Sequence, residues 1–290
     1  MREIIKHKIE SVIDDKIDSQ RSVSGGCIND AKIITTKSGK SYFVKTNSNS
    51  EKDMFLKEAN GLRELAKANV IRVPNVNYVD DDFIIIENIA SHTKIKSFWE
   101  NFGRDFARLH KFTSNNYGFY EDNYIGSTQQ LNIPSEIESV SWQEFYFNKR
   151  LLFQYKLAEN NGYAGEELHK VFFQLESKIS SILIDCDAKP SLLHGDLWSG
   201  NFITDETGNA CLIDPAVYYG HREADLAMTK LFGGFDSRFY SAYNEEYPLV
   251  AGYEYRENIY KLYHVLNHLN LFGSGYYHQA VSLIKFYLQE

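Results

Sequence analysis

The sequence is poor in cysteine and proline, with three cysteines and five prolines among 290 residues. The three cysteines (Cys27, Cys186 and Cys211) are widely spaced and fit neither a zinc-binding pattern nor a disulfide framework. No segment approaches the roughly 18 consecutive apolar residues of a membrane span. The charged N-terminus also lacks the apolar stretch of a signal peptide. These absences predict a cytoplasmic protein that does not associate with membranes.

The sequence has fewer basic than acidic residues. It contains 31 Lys and Arg and 39 Asp and Glu, which gives a formal net charge of −8. An acidic chain argues against a general nucleic-acid-binding protein, although a locally basic nucleotide site remains compatible with it. Hydrophobic residues make up 43% and charged residues 24%, as in ordinary globular proteins. The length suits one two-lobed unit or two domains that need no disulfide or metal for stability.

Hydrophobic spacing divides the chain into a strand-rich first third and a helix-rich remainder. In the first third the pattern predicts helices over 1–17 and 51–69, a Ser/Gly turn over 21–29, and strands over 31–36, 41–46, 76–79 and 83–87. In the remainder it predicts one β-like interruption over 191–213 and helices over 97–112, 141–160, 165–185, 221–232, 238–246 and 253–272. We therefore predict an α+β fold in which 1–88 form an N-terminal lobe, with a small antiparallel sheet and one main helix, and 89–290 a larger, mostly helical C-terminal lobe.

Residues 192–202 read LLHGDLWSGNF and carry the strongest chemical signal. His194, Asp196 and Asn201 fit the template H-x-D-L-x-x-x-N of a kinase catalytic loop. In that template the Asp accepts the proton of the acceptor hydroxyl, and the Asn turns back toward a metal on the phosphates. Asp214 follows an apolar run, as a metal-binding Asp at the end of a strand does. Asn201 and Asp214 together supply oxygen ligands of the kind that Mg²⁺ prefers.

An isolated Asp-x4-Asn is most often structural, so the wider context matters. A short hairpin over 203–213 leads from this motif to Asp214, which makes the combination far more specific. Upstream, Lys45 lies in a predicted strand and Glu58 lies on the apolar face of the next predicted helix, where a glutamate needs a cation. Taken singly, Lys45 could be solvated and Glu58 could lie at the edge of the apolar stripe.

A glycine turn precedes the lysine strand. Its glycines allow backbone N–H groups to approach phosphates closely, although most such pairs are plain turns. The residues of this turn are Ser24, Gly25, Gly26, Cys27 and Ile28. The order of glycine turn, lysine, glutamate, catalytic loop and aspartate favours the functional interpretation of all of them.

The sequence resembles the fructosamine kinase, or ketosamine-3-kinase, family. This family is related to aminoglycoside phosphotransferases and choline kinases. The resemblance rests on HGDLWSGN over 194–201, DPA over 214–216 and YGHREADLAM over 219–228. It extends along nearly the whole chain and implies a protein-kinase-like fold. It also implies phosphorylation, with ATP and Mg²⁺, of the 3-hydroxyl of ribulosamine, erythrulosamine or fructosamine adducts, free or protein-bound, in protein deglycation.

As a hypothesis for the mechanism, we assign a role to each candidate residue. The backbone of Glu87, Asn88 and Ile89 would contact adenine, Ser24–Ile28 would cover the phosphates, and Lys45, held by Glu58, would contact the α- and β-phosphate oxygens. Asp196 would be the base, with Asn201 and Asp214 holding Mg²⁺. Trp198 either stacks on the sugar or packs internally. His194 and Asp225 would support the catalytic loop rather than take part in chemistry.

Cys27 lies within the glycine turn, where it is either a small apolar filler or a redox-sensitive thiol. The resemblance implies a reversible inter-subunit disulfide at this position, so both a monomer and a homodimer are expected states. Comparing activity and oligomer size with and without reductant, beside Cys27→Ser, separates the two.

Two other classes of function remain open from the sequence. One is a different small-molecule kinase acting on an aminoglycoside, choline, homoserine or a sugar. The other is a nucleotide-binding pseudokinase, against which the complete set of candidate catalytic residues counts. A protein kinase is disfavoured, because no Ala-Pro-Glu segment follows Asp214.

Overall fold

The computed structural model describes residues 2–23, 30–47, 53–184 and 189–289. The chain divides into two compact units. Met1–Phe98 and Gly200–Pro215 form the first, and Trp99–Ser199 and Ala216–Glu290 form the second. Residues 200–215 therefore group with the N-terminal part of the chain, and the predicted lobe division between 88 and 89 stays a prediction.

The first unit is built on a five-stranded antiparallel sheet with strand order β1-β2-β3-β5-β4. Its strands are β1 (Ile17–Ser22), β2 (Asp30–Thr36), β3 (Ser41–Thr46), β4 (Val76–Val79) and β5 (Phe83–Glu87). Its helices are α1 (Glu3–Ile13) and α2 (Met54–Lys67).

The two faces of this sheet pack against different helices. Successive side chains of β5 point to opposite faces, so Phe83 and Ile85 join the cluster around α1 while Ile84 and Ile86 join the cluster around α2. By the same alternation on β3, Val44 belongs to the α1 face. The next residue of that strand, Lys45, therefore falls on the α2 face.

Two boundaries predicted for this unit are wrong. The first helix was expected over 1–17 but ends at Ile13, where Asp14 takes a left-handed conformation with φ of 50°. The chain then enters β1, which overlaps the start of the predicted turn over 21–29. Five of the six β1 residues are exposed, so this strand lacks the alternation of apolar and polar residues that predicts strands.

The second unit is mostly helical. Its helices are α3 (Phe98–His110, which starts at the last residue of the first unit), α4 (Glu136–Val140), α5 (Trp142–Tyr146), α6 (Phe153–Asn160), α7 (Glu166–Glu176), α8 (Ile179–Ile182), α9 (Glu223–Leu231), α10 (Ser237–Glu246), α11 (Tyr253–Phe272) and α12 (Tyr277–Leu288). A π-helical segment (Phe147–Leu152) joins α5 to α6, and a 3₁₀ turn (Ser274–Tyr276) precedes α12.

Four short strands belong to the second unit and form two separate antiparallel pairs. They are β6 (Asn123–Ile125), β7 (Thr128–Gln130), β8 (Ser191–Leu193) and β11 (Tyr218–Gly220). The remaining pair, β9 (Phe202–Thr204) and β10 (Ala210–Leu212), is the hairpin of the first unit. Within the described residues, every helix is too short or too polar to span a bilayer.

Three predictions for this half are corrected. The helix expected over 141–160 is interrupted by the π-helical segment. The expected single β interruption is wrong, because β6 and β7 lie outside it and β11 follows it; strands of three residues are too short to display a period of two. The helix α12 was not predicted, although its buried residues, Ala280, Val281, Ile284 and Tyr287, have helical spacing.

Candidate active site

The first unit holds a lysine between two carboxylates. The Nζ of Lys45 lies 2.8 Å from Oε1 of Glu58 and 2.5 Å from Oδ1 of Asp214. The predicted contact between Lys45 on β3 and Glu58 on α2 is therefore present. The lysine side chain is 8% exposed and that of Glu58 is 12% exposed, whereas that of Asp214 is 41% exposed. Asp214 is thus the accessible member of the group.

The environment keeps Lys45 charged. Burial by itself would lower the pKa of Lys45, but the adjacent charges of Asp214 and Glu58 outweigh burial and raise this pKa above its ordinary value. Burial raises the pKa of Glu58, and the charge of Lys45 opposes that rise. At neutral pH the lysine is therefore an ammonium group suited to binding phosphate oxygens.

The β9–β10 hairpin carries Asn201 and Asp214 to one end of its ladder. Phe202 pairs with Leu212 in the register of the hairpin, and the N–H of Ile213 donates to the carbonyl of Asn201 at 3.1 Å. Asn201 therefore precedes β9 while Asp214 leaves β10 at the same open end. The sequence predicted a short hairpin here, over 203–213.

The backbone of Asp214 is left-handed, with φ of 55°. Among non-glycine residues, Asp and Asn tolerate this conformation best, and it concentrates at functional sites. It ends the extended strand abruptly and turns the Asp214 side chain toward Lys45.

Residues 87–89, expected to contact adenine, begin at Glu87, the last residue of β5. The N–H of Glu87 donates to the carbonyl of Asn75 at 2.9 Å, so a hydrogen bond to adenine from this segment would come from another backbone group. The carboxylate of Glu87 accepts from Arg72 at 2.6 Å. Asn88 donates to the Ser41 hydroxyl at 2.9 Å, while Ile89 is buried.

In the second unit the predicted catalytic loop is fixed by Asp225. The backbone N–H groups of His194 and Gly195 donate to the Asp225 carboxylate at 2.7 and 2.8 Å. Burial alone would raise the pKa of Asp225, but a hydrogen bond from His110 and the one from the Gly195 N–H contribute to lowering it. Asp225 is therefore an ionised carboxylate that holds the backbone N–H groups of His194 and Gly195.

His110 also contacts this carboxylate. It is fully buried, with Nε2 3.3 Å from the Asp225 carboxylate and Nδ1 2.7 Å from the Tyr243 hydroxyl. Burial lowers the pKa of His110, so its ring is neutral and donates through Nε2.

Asp196 and Trp198 lie just beyond the anchored backbone. The N–H of Asp196 donates to Nδ1 of His194 at 3.3 Å, which gives that buried histidine a role in shaping the loop. Trp198 is half-buried and meets Phe232 edge-on, with 6.0 Å between ring centroids. Trp198 thus has a packing partner in Phe232, and both interpretations of this residue stay open.

Gly195 allows the loop to approach the backbone of Ala216. Its φ is +82°, and a Cβ added to it would lie 2.0 Å from the carbonyl oxygen of Ala216. Neither the conformation nor the space accepts a larger side chain.

We expect Gly195→Ala to lower the free energy of unfolding by several kcal/mol, since strain and a backbone clash combine. Gly162→Ala is the matched control, because Gly162 also has a positive φ, of +74°, but has nothing within 4 Å of the added Cβ. That control should cost about 1–2 kcal/mol, the strain of the left-handed conformation alone. Chemical denaturation of both variants measures the difference, and equal losses would show that the Ala216 contact is unimportant.

Some candidate residues lie outside the described residues or in separate units. Ser24, Gly25, Gly26, Cys27 and Ile28 all lie outside the described residues. The structure brings Lys45, Glu58 and Asp214 together within the first unit. Asp196 belongs to the second unit, so its convergence with these residues stays a prediction.

The sequence did not single out two residues that support the site. Arg72 links Glu87 to the turn of the β9–β10 hairpin, donating to Glu206 at 2.6 Å. His110 holds Asp225, as described above. Neither belongs to a recognisable motif, and an isolated arginine in a loop or histidine on a helix carries no signal of its contacts.

Comparison with known proteins adds independent evidence. The model of the fructosamine kinase family matches residues 1–290. The chain is 42% identical over 275 residues to the chloroplastic protein-ribulosamine 3-kinase of Arabidopsis thaliana, covering 92% of this chain and 82% of that protein. A crystal structure named as a fructosamine-3-kinase from Thermobifida fusca matches with a TM-score of 0.88 and 27% identity, covering 100% of both chains.

An ADP-bound aminoglycoside phosphotransferase structure shares the fold, with a TM-score of 0.67 at 15% identity over 99% of this chain and 98% of that one. The predicted α+β, protein-kinase-like fold is thus confirmed, as is the predicted enzyme class. The family model matches the full length and one relative is more than 40% identical, so the likeness extends to the family and is not limited to the fold. The chain therefore belongs to the fructosamine kinase family and is a phosphotransferase, with ATP as the phosphoryl donor and an alcohol group as the acceptor.

Proposed function

We propose that this enzyme transfers the γ-phosphoryl group of ATP to the 3-hydroxyl group of a ketosamine, as a step in the repair of glycated proteins. The observation that carries the proposal is the ammonium group of Lys45 held between Glu58 and Asp214. The name of the ribulosamine 3-kinase relative supports a ketosamine as the acceptor and its 3-hydroxyl as the position of phosphorylation. The substrate would be a ribulosamine, erythrulosamine or fructosamine adduct, free or attached to protein.

Lys45 would bind the α- and β-phosphate oxygens, and Glu58 would keep its side chain extended from the sheet. Asp214, the more exposed of the two carboxylates, would be free to exchange its contact with Lys45 for other partners when the nucleotide enters. The backbone of residues 87–89 would contact adenine, and Ser24–Ile28 would cover the phosphates.

The donor atoms of the first unit fit a magnesium ion that arrives with the nucleotide. Among the described residues no group of three or more His, Cys, Asp or Glu side chains is placed to hold a metal. Mg²⁺ is commonly held by one or two side-chain oxygens together with phosphate oxygens. Asn201 and Asp214 would supply those two oxygens at the open end of the hairpin. When bound, Mg²⁺ would neutralise charge on the phosphates.

Asp196 would accept the proton of the acceptor hydroxyl and orient it for attack. Its loop is suited to this task, because Asp225 fixes the two preceding backbone N–H groups and leaves the Asp196 side chain half-buried at the surface of the unit. The aromatic ring of Trp198 would stack on the sugar. His194 would shape the loop rather than transfer protons.

The remaining expectations about context are part of this proposal. A cytoplasmic location agrees with the small number of cysteines, of which Cys211 is free and buried. The burial of Cys211 raises its pKa to about 12, so this thiol is unreactive. Whether the enzyme is a monomer or a homodimer, and whether Cys27 forms a disulfide between subunits, are to be measured as set out above.

The decisive experiment offers ATP and Mg²⁺ with ribulosyl-lysine, erythrulosyl-lysine and fructosyl-lysine in parallel. We expect a gain of one phosphate on at least one ketosamine, located at the 3-position by mass spectrometry. Free sugars, choline and an aminoglycoside form the comparison panel. Turnover of the panel alone would indicate another small-molecule kinase, and ATP binding without any turnover would indicate a pseudokinase.

A further inference from the structure

The short β6–β7 hairpin of the second unit presents two buried amides side by side. Asn123 and Gln130 are directly paired in the hairpin register and are 4% and 1% exposed. Buried amides are costly unless every polar atom has a partner.

Both amides donate to the chain segment that follows Asp214 and Pro215 in sequence. Nε2 of Gln130 donates to the carbonyl of Ala216 at 2.9 Å, and Nδ2 of Asn123 donates to the carbonyl of Val217 at 2.8 Å. Oε1 of Gln130 accepts from the hydroxyl of Tyr263 at 2.7 Å. Two consecutive carbonyls are thus fixed by side chains of one hairpin.

The direction of these hydrogen bonds is forced by a buried arginine. Arg150 is fully buried and can only donate, and its Nη2 donates to Oδ1 of Asn132 at 2.7 Å. The amide nitrogen of Asn132 must then point away, and it donates to Oδ1 of Asn123 at 2.8 Å. Asn123 is left with its own amide nitrogen facing Val217, so the orientation is fixed along the series.

The segment held in this way is the one on which the catalytic loop rests. The N–H of Ala216 donates to the carbonyl of His194 at 2.9 Å. The carbonyl of Ala216, which accepts from Gln130, is also the group that a Cβ on Gly195 would meet at 2.0 Å. The loop before Asp196 is therefore fixed by Asp225 on one side and by the Ala216 peptide on the other.

We propose that Gln130 is a positioning residue for catalysis, acting through the Ala216 peptide to set the backbone that carries Asp196. This inference rests on the proposed function, because it takes Asp196 as the base. A displacement of the reacting groups by about 1 Å is enough to cost on the order of 10²-fold in rate. Gln130 need not touch the substrate to have an effect of that size.

The test compares Gln130→Met with Gln129→Met. Methionine has a similar size but cannot donate to Ala216 or accept from Tyr263. Gln129 precedes Gln130 on the same strand and is exposed, so it controls for the strand itself. We expect kcat of Gln130→Met to fall at least tenfold, with the dissociation constant for ATP changed less than threefold, while Gln129→Met matches the wild type.

Expressing the rate per nucleotide-binding site distinguishes an effect on the catalytic step from a loss of folded protein. Rates are divided by the number of nucleotide-binding sites, measured by titration with ADP. A purely structural role would reduce the number of sites and leave kcat per site unchanged, and that result would overturn the inference. A wild-type enzyme with no turnover on any ketosamine would instead refute the proposed function.

Gln130→Glu gives a second measurement. In the wild type Nε2 of Gln130 donates both to Ala216 and, at 2.8 Å, to Oδ1 of Asn123. A protonated carboxyl group at position 130 keeps one of these two donations and accepts from Tyr263, whereas an ionised carboxylate can only accept. Burial raises the pKa of such a carboxyl group. We expect kcat per site of Gln130→Glu, relative to wild type, to rise at least threefold as the pH is lowered from 8 to 6. A ratio that is constant across this range would count against the inference.

Discussion

Replacing Asp196 with alanine is expected to lower kcat more than 10²-fold, because the acceptor hydroxyl loses the group that orients it and accepts its proton. The dissociation constant for ATP should change little, since Lys45, Glu58 and Asp214 belong to the other compact unit. Steady-state kinetics on a ketosamine, combined with a nucleotide titration, measure both quantities.

Two further variants sharpen this experiment. Asp196→Asn keeps the size of the side chain but not its basicity, so it should be nearly as inactive as the alanine variant. Asp81→Ala removes an exposed carboxylate from the loop between β4 and β5 and should retain wild-type kcat. Full turnover by Asp196→Ala would remove this residue from the role of base.

Lys45→Met is expected to have the second largest effect. Among the described residues, Lys45 is the only cation within 4 Å of Glu58 and Asp214. Because the variant lacks this positive charge for the phosphates, kcat/KM for ATP should fall at least 10²-fold. The free energy of unfolding should also fall, by about 3 kcal/mol, the low end of the cost of breaking a buried pair. The low end applies because the Asp214 side chain is 41% exposed.

The double variant Lys45→Met/Glu58→Gln distinguishes the two losses. Removing the glutamate charge should restore much of the stability, because no uncompensated buried carboxylate then remains beside the methionine. It should not restore the use of ATP, because the phosphates still lack their cation. Lys40→Met, at the exposed end of the turn before β3, is the matched control. Recovery of kcat/KM for ATP in the double variant would contradict the role proposed for Lys45.

The family, fold class and enzyme class could all be predicted from the sequence, because they rest on local patterns. The catalytic-loop motif and Asp214 are short-range signals, and Glu58 was found because it interrupts an apolar helical face. The full-length family match confirms the predicted ketosamine kinase family. The roles of the individual residues remain predictions that the variants above test.

Other parts of the molecule depend on contacts between distant residues and gave no such signal. Asn123 and Gln130 lie about 90 residues before the carbonyls to which they donate. Their hairpin has strands of three residues, which are too short for periodicity. His110 and Arg72 are likewise defined by partners far along the chain. Only a folded structure identifies such polar residues, because the same residue types are usually solvated.

The strand β1 has a consequence for how the protein behaves at high concentration. An outermost strand presents backbone groups to which a neighbouring molecule can add its own strand, and long apolar examples promote aggregation. Here five of six residues are solvent-facing, and Asp18, Gln20 and Arg21 are among them. The polarity that concealed β1 from pattern analysis thus makes it a poor template for intermolecular β-pairing and favours a well-dispersed solution.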